Sequence, residues 1–504
     1  MRQWHPILWI KQWWGRIDSI DGLVFMVVVA LGSYPVVDPD FGWHLKSGID
    51  LLRTWHVPKL DPYSYTMPDW HWVNHEWLSD GLVAFVYQHL GGVGLSFIFA
   101  VIVILALLIA ASWSPRVSAK SKLLVAGFAI LANVARGGVR IQVLSYLGTA
   151  VVLWSFVRYR SGRLKHLWWH IPFFWLWANL HGGFLIGLAI LALLFVVELI
   201  KSKSRWYAGI QYRYQSKAEP TLSPKQLGHL FWVGLMSGVI TLLNPYGLQL
   251  YVDIYKTLTE PLVAQHLAEW GHFGLHGLSD QIFVVYLVLM IVALLFVYRK
   301  VEPTRWALAL ALFVSALWAD RNLELFLLIS AGLFAEAIDG GIRRLTNWLI
   351  RVRWLALIIT GVGLLAILPG VMQFALANED MNTLIHWGNY PLQAVEWAKA
   401  HPDQIGTRMY NPYSWGGFLV WRFPEQKVFI DGRMAYWKLD NRFVFRDAMA
   451  IDDGQPGTVS MIQERYGVDW VIIPPGFSLA NMLSHQPGWQ LVYQDKLAVI
   501  YTKK

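Results

Sequence analysis

The sequence predicts an α-helical polytopic membrane protein of about 11 transmembrane helices with a small soluble α/β domain at its C-terminal end. Three observations carry that expectation. Hydrophobic residues fill 56% of the 504 positions and charged residues only 15%, against about 25% charged in ordinary soluble domains, and the mean hydropathy is +0.40. The apolar residues gather into runs long enough for helices to cross a hydrocarbon core of ~30 Å. Lys and Arg concentrate in a few short connections, and tryptophans such as Trp13, Trp14, Trp168, Trp169, Trp177 and Trp318 mark the ends of runs, where an indole ring reaches the headgroup level.

Taken from the N-terminus, Arg2, Lys11 and Arg16 precede the first run and no small-residue cleavage site follows it, the pattern of a retained anchor. Spans are expected near 21–37, 92–113, 123–135, 141–157, 167–180, 183–200, 229–243, 281–298, 306–318, 323–338 and 354–375. With the N-terminus in the cytoplasm, the basic connections at 114–122, 158–166, 201–228, 299–305 and 340–353 all fall on the cytoplasmic side, as the positive-inside rule requires. This topology accounts for the net charge of +9 without nucleic acid as a partner. An odd number of spans places the tail on the opposite face. The tail has ordinary polarity, strand-like runs (KVFID, DWVII, WQLVY, LAVIYT), a helical PLQAVEWAKA and turn signals at NPYSWGG, PEQ, IPPG and QPGW, which together read as a small α/β domain. The expected division is therefore a multi-span module, 1–375, with a large first outer loop at 38–91, and an extracytoplasmic domain, 376–504. The chain has no cysteine, which excludes disulfides and thiolate metal sites.

Residues capable of chemistry gather on the outer side. Asp38 and Asp40 stand where the first span leaves the membrane and suit a general base or a metal ligand. They would serve equally as caps for a helix starting near Phe41. The same loop carries His44 and then His75 and Glu76 in HWVNHEWLSDG. Arg136 and Arg140, His181 in WANLHGG, Asn244 in NPYG, Glu269 before Trp270, and Arg321 in a tight Asp-Arg-Asn turn occupy the other outer connections. Ionisable residues at such depth usually face a cavity or a partner, and guanidinium grips phosphate through paired hydrogen bonds. Snorkelling anchors or structural ion pairs would explain any single arginine as well. HEWLSD is no zinc-protease helix, because Ser79 stands where the second histidine of HExxH belongs. No phosphate-binding or dinucleotide glycine loop is present.

DPDFGWHLKSG, LDPYSYT and HEWLSDG in the first loop, WANLHGGFLIG, LLNPYG, the AEW ending at Trp270, and NPYSWGGFLVWRFPEQKVFIDGRM in the tail make the chain resemble the GT-C superfamily of membrane glycosyltransferases. That superfamily includes protein mannosyltransferases, aminoarabinose transferases and oligosaccharyltransferase catalytic subunits. The resemblance implies a multi-pass inner (plasma) membrane enzyme that moves a sugar, with inversion, from a polyprenyl-phosphate-linked donor to a glycan, lipid or protein acceptor on the extracytoplasmic face. It implies that Asp40, with Asp38, activates the acceptor or holds a divalent cation (Mg or Mn), while Arg136, Arg140 or Arg321 meets the departing phosphate. His44, His75, Glu76, His181, Asn244 and Glu269 would line the substrate site. The WWDYG signature of oligosaccharyltransferases is missing, which separates the chain from peptide glycosylation. Asp431 and Arg433 in FIDGRM either approach the acceptor or pair with each other. A transporter or lipid flippase, for which broken helices in two matching halves would be expected, and a noncatalytic membrane scaffold are the competing classes.

Overall fold

The computed structural model of the protein describes residues 38–113, 117–133, 138–204, 221–275, 277–297, 303–351 and 390–504. The expected spans near 21–37 and 354–375, and Arg136, lie outside the described residues. Each of the other expected spans falls on a helix.

The chain enters at Asp38 and forms α1 (Phe41–Thr54), then a loop, then α2 (Trp77–Ala111). The apolar run that begins at 92 is the second part of α2: Gly91, at φ 65°, breaks the helical path between a first part interrupted by Ser79, Asp80, Gln88 and His89 and the apolar remainder. There follow α3 (Ala119–Ala132), α4 (Val143–Arg160), α5 (His170–Leu180), α6 (Phe184–Lys203) and α7 (Pro224–Ile240). The N-terminus of α7 is closed by a capping box in which Ser223 and Gln226 bond each other's backbone. Two short helices, α8 (Gln249–Thr259) and α9 (Pro261–His266), precede α10 (Leu278–Leu295), α11 (Pro303–Trp318) and α12 (Leu323–Arg351). Among the described residues, four helices are long and apolar enough to cross a membrane: Trp77–Ala111, Phe184–Lys203, Leu278–Leu295 and the stretch Asp320–Leu345 that contains most of α12. Pro303–Trp318 is apolar but shorter.

The tail contains α13 (Leu392–Ala400), α14 (Tyr413–Arg422), α15 (Val444–Asp452) and α16 (Ser478–Ser484) around a four-stranded sheet. Its strands are β1 (Met409–Tyr410), β2 (Trp470–Ile473), β3 (Trp489–Gln494) and β4 (Val499–Lys503), in the order β1-β2-β4-β3. β1 runs parallel to β2, and the other pairs are antiparallel. DWVII, WQLVY and LAVIYT form strands as expected. KVFID does not: Val428 makes only an isolated bridge to Ser64 of the first loop, so this segment pairs outward and leaves the sheet to the other three runs. NPYSWGG, expected as a turn, begins α14.

The reason for α14 is a close helix crossing. A Cβ added at Gly42 of α1 would lie 2.1 Å from Gly417 O, and one at Gly417 would lie 2.3 Å from Pro39 O. Only hydrogen fits between the two backbones, so of the two roles open to the Gly416–Gly417 pair, close packing or a turn, it takes close packing. The two hydrophobic cores follow from this arrangement. One is built from the helices of the membrane part; the other joins the tail to Trp43, Met67 and Trp72 of the first loop and Val263 of α9.

Candidate functional site

The site is built around the start of α1. Asp38 Oδ1 accepts the Asp40 backbone N–H at 2.9 Å, and the Asp40 carbonyl accepts the His44 N–H at 3.2 Å. Asp38 thus shapes the turn, while the Asp40 side chain makes no capping hydrogen bond. The Asp40 carboxyl instead points under the tail, where a Cβ at Gly432 would lie 1.7 Å from its Oδ1. Burial there, reinforced by the negative charge of Asp38 and partly offset by His44, pushes the Asp40 carboxyl up to about 7.

One turn along α1, His44 Nδ1 lies 2.7 Å from Asp80 Oδ1, and its Nε2 lies 3.5 Å from Glu76 Oε2. Burial opposes a charge on this ring, but Glu76 and Asp80 outweigh it and lift His44 to about 9. Asn74 donates to Asp80 Oδ2 at 2.7 Å and to Ser47 Oγ at 3.1 Å, which locks the acid that holds the imidazolium. Glu76 also faces His181 Nε2 at 3.2 Å and His75 Nε2 at 3.9 Å. The Gly183 N–H points at His181 Nδ1 from 2.9 Å, which leaves the proton of a neutral ring on Nε2, directed at Glu76. Burial, followed by the charges of His75, Arg321 and His44, holds His181 well below the usual imidazole range.

Opposite this group, Arg140 donates from Nε to Asp38 Oδ2 at 3.0 Å and from Nη2 to Glu269 Oε2 at 2.6 Å. Arg321 lies over the Trp270 ring, 4.2 Å from its centroid, and its Nη1 is 3.7 Å from Glu269 Oε1. That separation exceeds hydrogen-bond reach, so the Arg321 donors stay available, whereas Arg140 is committed to two carboxylates. Burial favours the neutral form of Glu269, but Arg321 and Arg140 hold it below the usual range.

These groups line one cavity of about 170 Å³, together with Trp43, Asp253, Tyr413 and Tyr436. Asp38, Asp40, His44, His75, Glu76, Arg140, His181, Glu269 and Arg321 are all on its wall. Asn244 is not. Its amide closes a turn, donating to Thr241 O at 2.8 Å while its Oδ1 accepts from Tyr246 N at 2.8 Å. Arg433 reaches the wall too, but its Nε and Nη2 are engaged by Asp431 at 2.6 Å and Asp61 at 2.8 Å, and the guanidinium is boxed by the Tyr63, Trp72 and Trp437 rings. The internal pairing of Asp431 and Arg433 is the arrangement found.

Asn74, Asp80, Asp253 and Tyr436 were not singled out from sequence. Asn74 and Asp80 flank Glu76 at helix-start spacing and were readable from that segment. The Asp253 bond with Tyr436 OH joins α8 to the tail across 183 positions and leaves no local signal.

The donor set does not fit a divalent cation at Asp38 and Asp40. Hard cations need several carboxylate or carbonyl oxygens free to converge. Both oxygens of Asp38 are engaged, one by Arg140 and one by the Asp40 N–H, and Glu269 is flanked by two guanidinium groups. Among the described residues, no group of three or more His, Asp or Glu side chains is placed to hold a metal.

Comparison with known proteins bears on this fold. No protein-family model matches the chain, and no curated protein matches it in sequence. Solved structures do. The oligosaccharyltransferase of Archaeoglobus fulgidus in its apo form aligns at TM-score 0.55 and 12% identity over 90% of this chain and 69% of its own. The same organism's oligosaccharyltransferase AglB, solved with an inhibitory peptide and a dolichol-phosphate, aligns at 0.57 and 13% over 98% and 75%. ArnT from Cupriavidus metallidurans, in the apo state, aligns at 0.52 and 13% over 96% and 97%. The chain shares the fold of these solved oligosaccharyltransferase and ArnT structures.

Proposed function

We propose that the protein is a membrane glycosyltransferase that moves a sugar from a polyprenyl-phosphate-linked donor to an acceptor on the extracytoplasmic face of the plasma membrane. The observation that carries the reading is a single cavity that places a carboxyl poised near neutrality, Asp40, opposite an arginine with open donors, Arg321.

Each residue then has a task. Asp40 takes the proton of the acceptor hydroxyl as that oxygen attacks the anomeric carbon from the face opposite the leaving group, so configuration inverts. A base works best with a pKa near the working pH. The bond from the anomeric carbon to the phosphate oxygen breaks, and the developing negative charge on the lipid phosphate is met by Arg321, which sits over the Trp270 ring. Arg140 acts as a positioning residue: it fixes Asp38, which shapes the turn bearing Asp40, and Glu269, which orients Arg321. His44 and Glu76 form the floor. The likeness of fold to AglB, solved with a dolichol-phosphate, supports the donor class.

The test is sugar transfer by the purified chain from a panel of polyprenyl-phosphate sugars, with wild type compared against Asp40→Asn and Arg321→Ala. Donor-dependent transfer lost in Asp40→Asn supports the reading. Transfer unchanged in both variants defeats it.

A further inference from the structure

Helix α8 connects two surfaces that the proposed chemistry does not use together. At 100° per residue, Leu248, Val252, Tyr255 and Leu258 fall within about 120° of one another and are exposed, Leu248 at 71% and Tyr255 at 67%. Asp253 and Thr257 lie on the opposite side and line the cavity, and Leu250 is buried beside them. A single helix therefore separates the site from whatever covers the outer row.

That covering is identified by what adjoins it. Phe231, Leu235, Val239 and Leu243, spaced four apart along and just beyond α7, form an exposed apolar ridge that leads directly into Leu248. Trp175 of α5 is exposed and donates its indole N–H to Leu243 O at 2.9 Å, at the level where this ridge ends. An indole with one apolar and one bonded edge suits the boundary between lipid and water. The exposed row of α8 thus continues the exposed apolar ridge of α7, which covers the span expected near 229–243. At 11 residues, or ~16 Å, α8 is too short to span. Polar Gln249 and the exposed Lys256 lie together along one edge of the apolar row, as in helices that lie in the interfacial plane. Away from this row the helix is tied to the tail and to the first loop: Tyr436 OH bonds Asp253, Lys438 Nζ bonds Glu260 Oε2 at 2.6 Å, and Lys256 sits over the Trp70 ring of the first loop.

We propose that α8 is an interfacial helix whose Leu248, Val252, Tyr255 and Leu258 row lies in the lipid surface, making it the membrane-side wall of the cavity. The occupant of this face is bilayer lipid, and the placement stands whether or not the protein transfers sugar.

Because the chain has no cysteine, single cysteines can report position directly. Full-length Val252→Cys, Leu258→Cys and Gln249→Cys variants are labelled with a nitroxide, reconstituted into phosphatidylglycerol–phosphatidylethanolamine vesicles, and probed by collision with oxygen and with a water-soluble nickel chelate. Labels at 252 and 258 are expected to favour oxygen at least fivefold relative to the label at 249, at a depth of about 5–10 Å. Equal nickel access at all three positions overturns the proposal in favour of a water-exposed face. Spin–spin broadening at 252 that vanishes on dilution with unlabelled protein overturns it in favour of a second copy of the chain. Melting of each variant within a few degrees of wild type shows that the label reports the native fold.

Discussion

Asp38 and Asp40 are two residues apart, yet their carboxylates meet different surroundings. Asp38 spends its oxygens on the turn and on Arg140, and Asp40 is left beneath Gly432 with a carboxyl near 7. Acting as a base, Asp40 must be ionised, so kcat/KM should rise as pH passes about 7 and level above it. Asp38→Asn removes a neighbouring negative charge and should shift that limb to lower pH, while Asp40→Asn should cut kcat about 100- to 10,000-fold; both are read from pH–rate profiles. Arg321→Ala should lose about 100-fold or more in transfer, with Arg321→Lys recovering only part, because a lysine lacks the planar fork. For His44, the folded value of about 9 lies above the ordinary 6.5. Its stabilisation is therefore complete below pH 6.5 and fades as pH rises through 9, on the order of 3 kcal/mol in all. Thermal melts of wild type should fall between pH 7 and 10 more steeply than those of His44→Gln.

At the scale of elements, the approach of α14 to α1 decides whether the site exists. Gly417→Val would force side-chain atoms against Pro39 O and should destabilise by about 1–3 kcal/mol, read as a lower melting temperature. Gly432→Ala places its methyl against the Asp40 carboxyl and should lower activity much more than it lowers the melting temperature. The helices that carry the fold were legible because apolar runs persist over their whole length, and α2 was truncated in the reading because Ser79, Asp80, Gln88 and His89 interrupt its first part. α14 was misread because NPYSWGG carries turn signals, although close packing at Gly416 and Gly417 was one of the two roles open to that pair. α8 was passed over entirely: at 11 residues its apolar row is too brief to register as a span. Asp40, Glu76 and Arg321 could be picked out because charge is conspicuous near lipid. Asp253 and Tyr436 could not, since their meaning arises only from the contact between them.

For the whole molecule, the packing of the tail core against the first loop makes the two parts interdependent. A chain ending at 389 should insert in membranes and yet bind no donor, which equilibrium binding of a labelled polyprenyl-phosphate sugar would reveal. Because the acids near Asp40 are neutralised by arginine, transfer should persist in EDTA within about twofold; loss of activity restored by Mg or Mn would show that the donor set rearranges around a cation.

The glycine at 432 also has a consequence for biosynthesis. Asp40 leaves the ribosome early, but the residue that roofs it follows almost four hundred positions later. Through most of translation the carboxyl therefore lacks its cover. The pocket is complete only once the tail has been made and has folded over α1, so under the proposed function a half-made or truncated copy would lack a finished site, and completion of the polypeptide would itself be the step that assembles it.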